Sequence, residues 1–133
     1  MHDLLDDLEV AVSALAGVDR SGWSGGVRSD VLVSVLGVRE RLDAVIVAIT
    51  AEWDRDKSWE LDGARSPVAW LAHRAPLTRQ DASVLVRTAR FVRTHEQTAK
   101  ALDVGDITAG HATVAAQAAK HRSDFPPDPR RRA

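Results

Sequence analysis

Four arginines share one flank of a predicted helix between residues 79 and 94. On a helical wheel that advances about 100° per residue, they fall within an arc of roughly 120°, beside a stripe of small and aliphatic residues. The arginines are Arg79, Arg87, Arg90 and Arg93, and the stripe consists of Ala82, Leu85, Val86, Ala89 and Val92. Because guanidinium groups bind phosphate oxygens, a helix that packs through this stripe would present four phosphate-binding groups to solvent. The pattern predicts contact with nucleic acid, and the alternative is an ordinary solvated helix flank.

The five histidines do not show the spacing of a metal site. His95 and Glu96 begin like the zinc motif in which two histidines lie four residues apart, but the second position is Ala99. The chain has no cysteine, which excludes disulfides and thiolate ligands, and it contains no nucleophile elbow, phosphate loop or dinucleotide fingerprint. Carboxylate pairs such as Asp54 and Asp56 are expected to be solvated. The sequence therefore predicts a chain without catalytic residues, metal or cofactor.

Local signals place the arginines on the second helix of a pair. Ser66 followed by Pro67 is a typical helix start, and Pro76 ends that helix. Thr78 and Asp81 then occupy the positions of a capping box, so the next helix begins almost at once. The result is a predicted helix-turn-helix-like pair.

The capping sequence of the second helix recurs 30 residues later. The stretch Leu77-Thr78-Arg79-Gln80-Asp81-Ala82-Ser83-Val84 resembles Ile107-Thr108-Ala109-Gly110-His111-Ala112-Thr113-Val114. A short helix from residue 95 to 104, closed by Gly105, is expected to precede a last helix that ends near Arg122. Duplication and chance similarity of alanine-rich helices both remain open for this repeat.

A heptad-like seam occupies the first half of the chain. Aliphatic residues alternate at spacings of four and three at Val31, Val35, Val38, Leu42, Val45 and Ile49. This pattern predicts a helix from an N-cap at Ser29 to about Asp56, which packs along a first amphipathic helix at residues 3–16 or along a second copy. Strands at 31–33 and 45–47 are the alternative, since valine and isoleucine favour strands.

These elements together predict an all-α fold, a helical bundle with a long central helix and a helix-turn-helix-like pair. Residues 1–122 are assigned to the helical domain. Residues 123–133 contain three prolines and three consecutive arginines, and we expect a disordered tail or the start of a linker there.

Charge is distributed unevenly along the chain. Residues 1–62 carry 13 acidic and 6 basic side chains, a net charge of −7, whereas residues 63–133 carry 6 and 12, a net charge of +6. This polarity predicts an anionic partner for the second half, or pairing with an acidic first half. The acidic N-terminus does not match a secretory signal, and charged residues interrupt every apolar run. A soluble cytoplasmic protein without membrane contact is expected.

Several short boxes in a fixed order resemble a known family. They are Arg41-Leu42-Asp43-Ala44, then Asp62-Gly63-x-x-Ser66-x-x-x-Trp70-Leu71, Leu77-Thr78-x-x-x-Ala82, Ala89-Arg90, and Gly105-x-Ile107-Thr108-x-x-His111-Ala112. Over roughly residues 30–122 the chain resembles the N-terminal helical domain, domain of unknown function 222, of the actinobacterial 13E12 repeat family. Members of that family often carry a C-terminal HNH endonuclease module.

The resemblance implies a mobile-element or DNA-processing setting. The nuclease residues of such proteins lie in the C-terminal module, and this chain contains no asparagine, so none of that chemistry transfers to its residues. The chain resembles a short or truncated member. We therefore expect a noncatalytic module that contacts DNA through Arg79, Arg87, Arg90 and Arg93; the alternatives are a homo-oligomer that pairs through the Val31 to Ile49 seam, or a remnant of a longer nuclease protein whose C-terminal module is missing.

Overall fold

The structure, a computed structural model, describes residues 1–124. This part of the chain contains helices and turns and no strand, which confirms the all-α prediction. The α-helices are α1 (His2–Ala16), α2 (Gly25–Arg55), α3 (Pro67–Arg74), α4 (Arg79–Thr94), α5 (Glu96–Asp103) and α6 (Ala109–Asp124), with a 3-10 helix at Ser58–Asp62. The strand alternative for residues 31–33 and 45–47 is wrong, because both stretches lie inside α2. Residues 125–133, most of the predicted tail, lie outside the described residues.

The chain divides into two compact units, Met1–Leu36 and Gly37–Ala133, and α2 contributes residues to both. In the first unit, α1 has no buried residue. The prediction that α2 begins after Ser29 is wrong. Ser24 is the cap instead, because its hydroxyl accepts a hydrogen bond from the Val27 amide at 3.2 Å. Two glycines, Gly25 and Gly26, thus start the helix.

The core of the second unit forms around α4, which packs against α3, α5 and α6. The predicted apolar stripe of α4 is confirmed: Ala82, Val86, Ala89 and Val92 are buried and Leu85 is half-buried. Val92 joins a cluster with Val47, Leu102, Ala109 and Ala112. Small residues on α6 allow that helix to approach α4 closely, and Thr88 of α4 meets Thr113 of α6 with 3.1 Å between their hydroxyl oxygens.

Side-chain caps start three of these helices as the sequence predicted. The hydroxyl of Ser66 accepts from the Ala69 amide, and that of Thr78 accepts from the Asp81 amide, each at 3.0 Å. Thr108 repeats the arrangement at α6, where its hydroxyl accepts from the His111 amide at 3.0 Å. His111 Nδ1 accepts in return from the Thr108 amide at 3.2 Å, so the pair forms a reciprocal capping box. The two similar sequences at residues 77–84 and 107–114 therefore serve the same capping function.

None of the helices within residues 1–124 combines the length and the apolar character that crossing a membrane requires.

Candidate functional site

A buried carboxylate holds two of the four candidate arginines. The side chain of Asp54 on α2 is only 3% exposed, and it accepts hydrogen bonds from Arg90 Nε at 2.8 Å and Arg90 Nη2 at 3.2 Å. Arg93 Nη1 lies 3.4 Å from Asp54 Oδ2, and Trp59 Nε1 donates to Oδ1 at 3.2 Å. The prediction that Asp54 is a solvated helix carboxylate is wrong. It joins α2 to α4 and to the 3-10 helix.

The ionisation of this cluster is favoured by its hydrogen bonds. The hydrogen bond from Arg90 lowers the pKa of Asp54 against the opposing effect of burial, and the charges of Arg90 and Arg93 and the Trp59 hydrogen bond lower it further. The hydrogen bond to Asp54 likewise raises the pKa of Arg90. The cluster is therefore charged at neutral pH, with four donor contacts on one carboxylate.

The remaining two candidate arginines lie apart from this cluster. Arg79 begins α4 and is exposed, while Arg87 lies two turns further along and is half-buried. Among the side chains of residues 1–122, neither has a carboxylate oxygen within 4.0 Å of its guanidinium, in contrast to Arg90 and Arg93. Of the four predicted phosphate-binding residues, Arg90 and Arg93 already bind a carboxylate, whereas Arg79 and Arg87 have no ion pair among the described side chains.

In the second unit, the face of α2 that packs against the core is mostly polar. The residues of α2 that are buried there are Val47, Thr50 and Asp54, two of which are polar. Thr50 donates to the Ile46 carbonyl oxygen at 2.7 Å, and Asp54 has the partners given above, so both polar groups are satisfied. Glu40, on the same face, accepts a hydrogen bond from the Ala109 amide at the start of α6. Hydrogen bonding and charge, together with apolar packing at Val47, thus fix the inner face of this helix.

The aliphatic face of the same helix segment is exposed to solvent. Its members Val38, Leu42, Val45 and Ile49, called the exposed seam below, are 61%, 39%, 52% and 58% exposed. They are the four positions of the predicted Val31 to Ile49 seam that lie in the second unit. Leucine, valine and isoleucine at consecutive heptad positions are typical of a helix that packs against another helix. No described helix of the second unit covers these four side chains, for which the sequence predicted the first helix or a second copy as the partner.

Aromatic residues continue from one end of the exposed seam. Trp53, one turn beyond Ile49, lies 5.1 Å from Trp70 of α3 between ring centroids. Trp70 Nε1 donates to Asp62 Oδ2 at 2.9 Å, and Arg74 lies over the Trp70 ring and pairs with Asp62 at 3.3 Å. These contacts fix the α3 side of the helix-turn-helix-like pair.

No group of three or more histidine, aspartate or glutamate side chains within residues 1–122 has the geometry of a metal site. The ring of His95 stacks on Phe91 at 3.9 Å between centroids, and its Nδ1 lies 2.7 Å from the Phe91 carbonyl oxygen. This histidine has a local structural role at the end of α4.

A family model describes most of the chain. The model of the domain of unknown function DUF222 matches residues 29–132, which extend from α2 through α6. The chain belongs to the DUF222 family. No curated protein and no solved structure matches it.

The residues that first pointed to DUF222 have structural roles in this chain. Asp62 accepts from Trp70, and Ser66 and Thr78 cap α3 and α4. Arg90 pairs with Asp54, and Thr108 caps α6 together with His111. These residues therefore fix helix ends and helix contacts.

Sequence reasoning missed Asp54 and Trp59 as partners of the arginine flank. One signal was present, because Asp54 lies on the face of α2 opposite the seam, at the helical position of Val47 two turns earlier. A carboxylate on the inner face of a packed helix needs cationic partners, and the arginines of α4 are the nearest in the fold.

Proposed function

We propose that this DUF222 domain is a noncatalytic assembly module that associates through the exposed seam of α2. The single observation that carries the proposal is that Val38, Leu42, Val45 and Ile49 lie exposed at heptad spacing on a helix whose opposite face is packed. Scattered apolar residues are normal on a surface, whereas a contiguous aliphatic row marks an interface.

The four side chains of the exposed seam leave apolar surface in contact with water. Full burial of an aliphatic side chain of this size stabilises by about 1.5–3 kcal/mol, and roughly half of that remains unrealised at each of the four positions. Association must offset lost translational and rotational freedom, so the seam needs an extended partner. A second helix along the whole row provides the contact area that a single pocket would not.

The proposal includes a mobile-element or DNA-processing setting. This setting is what the resemblance to HNH-associated proteins of the 13E12 repeat type implies. In that setting the module would join copies of a DNA-processing protein, and its own residues would take no part in cleavage. The cytoplasm is the compartment that fits a nucleic-acid-processing role.

Sedimentation velocity of the full chain tests the assembly function. We expect a concentration-dependent shift from monomer to oligomer, and Leu42→Asp should abolish it, because a charge would enter the apolar row. The matched control is Val114→Asp on α6, where valine is 66% exposed and lies outside the seam. A wild-type chain that stays monomeric at high concentration, or equal effects of the two substitutions, would refute the proposal.

A second candidate function, contact with nucleic acid, is supported by Arg79 and Arg87. Neither guanidinium is paired with a carboxylate within the described residues, so both can bind phosphate without breaking an existing ion pair. To bind phosphate, Arg90 and Arg93 would have to weaken or break their ion pairs with Asp54. The number of expected phosphate contacts therefore falls from four to two.

The salt dependence of duplex DNA binding measures this number directly. Each phosphate contact contributes about −0.9 to the slope of log affinity against log salt, so two contacts predict about −1.8 and four predict about −3.6. The double substitution Arg79→Glu and Arg87→Glu should abolish binding and leave the urea midpoint of unfolding unchanged. A slope near zero, or binding that survives the substitutions, would exclude this interface.

A further inference from the structure

The heptad positions of the exposed seam carry information about the orientation of its partner. With spacings of four, three and four, Val38 and Val45 occupy one core position of the heptad, the d position, and Leu42 and Ile49 occupy the other, the a position. The smaller side chain, valine, is thus at both d positions, and the larger ones are at both a positions. This segregation by size determines which pairing fills space.

A parallel pair of α2 helices would stack like residues on like. The two Val38 side chains would meet, then the two Leu42 side chains, and the same would hold for Val45 and Ile49. Parallel two-stranded coils favour β-branched residues at a and leucine at d, and this seam has valine at d and leucine at one a position. The sequence of the seam is therefore unfavourable for a parallel dimer.

An antiparallel pair combines one large and one small residue in every layer. When the two-fold axis passes between residues 43 and 44, Val38 lies opposite the partner's Ile49, and Leu42 lies opposite the partner's Val45. The same two pairs recur on the other side of the axis, which gives four layers from four residues. The seam of a second copy of this chain is therefore complementary in size to the seam of the first.

The flanking charges are compatible with this pairing. Arg39 and Arg41, both exposed, border the seam on its two sides. In the antiparallel register Arg39 lies beside the partner's Ile46 and Arg41 beside the partner's Ala48, so like charges do not meet and the aliphatic stems of the arginines cover apolar surface. Both carboxylates of the inner face, Glu40 and Asp54, keep their existing partners within the second unit.

We infer that the exposed seam binds the same seam of a second copy in antiparallel orientation, with Val38 against Ile49 and Leu42 against Val45. The inference rests on the proposed assembly function and adds the partner, the orientation and the register. The resulting interface is isologous, so it closes at two copies and does not propagate.

Cysteine cross-linking of the full chain tests the orientation cleanly, because the protein has no cysteine of its own. Val38→Cys and Ile49→Cys are made as separate variants, and each is oxidised alone and as an equal mixture. In the antiparallel register, residue 38 lies opposite the partner's residue 49. At about 1.5 Å per residue, the two copies of residue 38 are therefore about 16 Å apart along the axis. A disulfide spans at most about 7 Å between Cα atoms, so it cannot join them. We expect cross-linked dimer from the mixture and none from either variant alone.

The other outcomes separate this inference from the function on which it rests. Cross-linking of each variant alone, with no gain in the mixture, would establish parallel pairing and overturn the orientation while keeping the assembly function. Dimer in sedimentation without any cross-link would overturn the register. Monomer in sedimentation without cross-link would overturn both. Val114→Cys, exposed but outside the seam, is the control that should stay uncross-linked.

Discussion

Helices α2 and α4 were both predicted to carry an aliphatic stripe, but only one of the two stripes is covered within the second unit. The stripe of α4 is buried beneath α3, α5 and α6, with Ala82 and Ala89 fully inaccessible. The seam of α2 stays exposed, and the face that α2 turns inward contains Thr50 and Asp54. Amphipathic periodicity therefore identifies the faces of a helix and leaves open which of them the chain itself covers.

The two helices are joined by charge in addition to the apolar core that Val47 and Val92 share. Asp54 of α2 is held by Arg90 and Arg93 of α4, so a carboxylate occupies a position that an aliphatic side chain normally fills. This arrangement uses the arginine flank for internal structure and leaves the aliphatic side of α2 available to a partner.

Removing the carboxylate should give the largest loss of stability. Asp54→Ala leaves Arg90, Arg93 and Trp59 without their acceptor in a half-buried site, and we expect the free energy of unfolding to fall by about 2–3 kcal/mol. Urea denaturation measures the effect. Asp56→Ala is the matched control, since its ion pair with Arg55 is exposed and should leave the urea midpoint in place.

Two valines on opposite sides of α2 provide a direct test of the face assignment. Val47 is 4% exposed and Val45 is 52% exposed. Val47→Ala should reduce the free energy of unfolding by about 2 kcal/mol, because methyl groups leave a cavity in the core. Val45→Ala should leave the stability of the monomer nearly unchanged and weaken self-association. If both variants lost equal stability at low concentration, α2 would be covered on both faces.

The cap of α6 is expected to have a smaller effect. Thr108→Ala removes the hydroxyl that accepts from the His111 amide, at a typical cost of about 1 kcal/mol. Thr108→Ser keeps the acceptor and should retain most of the stability. Because α6 covers the stripe of α4, hydrogen exchange of the α4 amides should accelerate in the alanine variant. Unchanged exchange would mean that α4 is stable without its α6 contact.

The ionisation of Asp54 should make the free energy of unfolding depend on pH, and we expect this effect to be smaller than those of the substitutions above. The folded chain lowers the pKa of Asp54, so it binds fewer protons there than the unfolded chain, whose aspartates have a pKa of about 3.9. The contribution is complete above that value and is lost as the pH falls through the lower folded pKa. Urea midpoints taken through this acidic range should fall less steeply for Asp54→Asn than for the wild type. Parallel curves would show that the hydrogen bonds stabilise the neutral side chain equally well.

The sequence predicted the elements of the fold better than their contacts. The helices, the stripe of α4 and the caps at Ser66, Thr78 and Thr108 are local properties, and all of them are confirmed. The start of α2 at Gly25 was missed, because a serine cap outweighs the low helix propensity of two glycines.

The partners of the arginine flank depend on tertiary contacts between residues far apart in the chain. Arg90 and Asp54 are separated by 36 residues, and no local pattern indicates that they meet. The wheel correctly placed Arg90 and Arg93 beside the stripe, but that position next to the core also brings them to the inner face of α2. Which arginines remain available to a phosphate was therefore beyond prediction from the sequence alone.

Hydrogen exchange of the wild-type chain at high protein concentration and after about a hundredfold dilution measures whether a second copy covers α2. If α2 is covered by a second copy, the amides of residues 38–49 should exchange markedly faster after dilution, since the helix loses its partner. The core amides of α4, between Ala82 and Val92, should respond much less, because their cover lies in the same chain. Exchange in α2 that is independent of concentration, while the protein stays folded, would contradict the account.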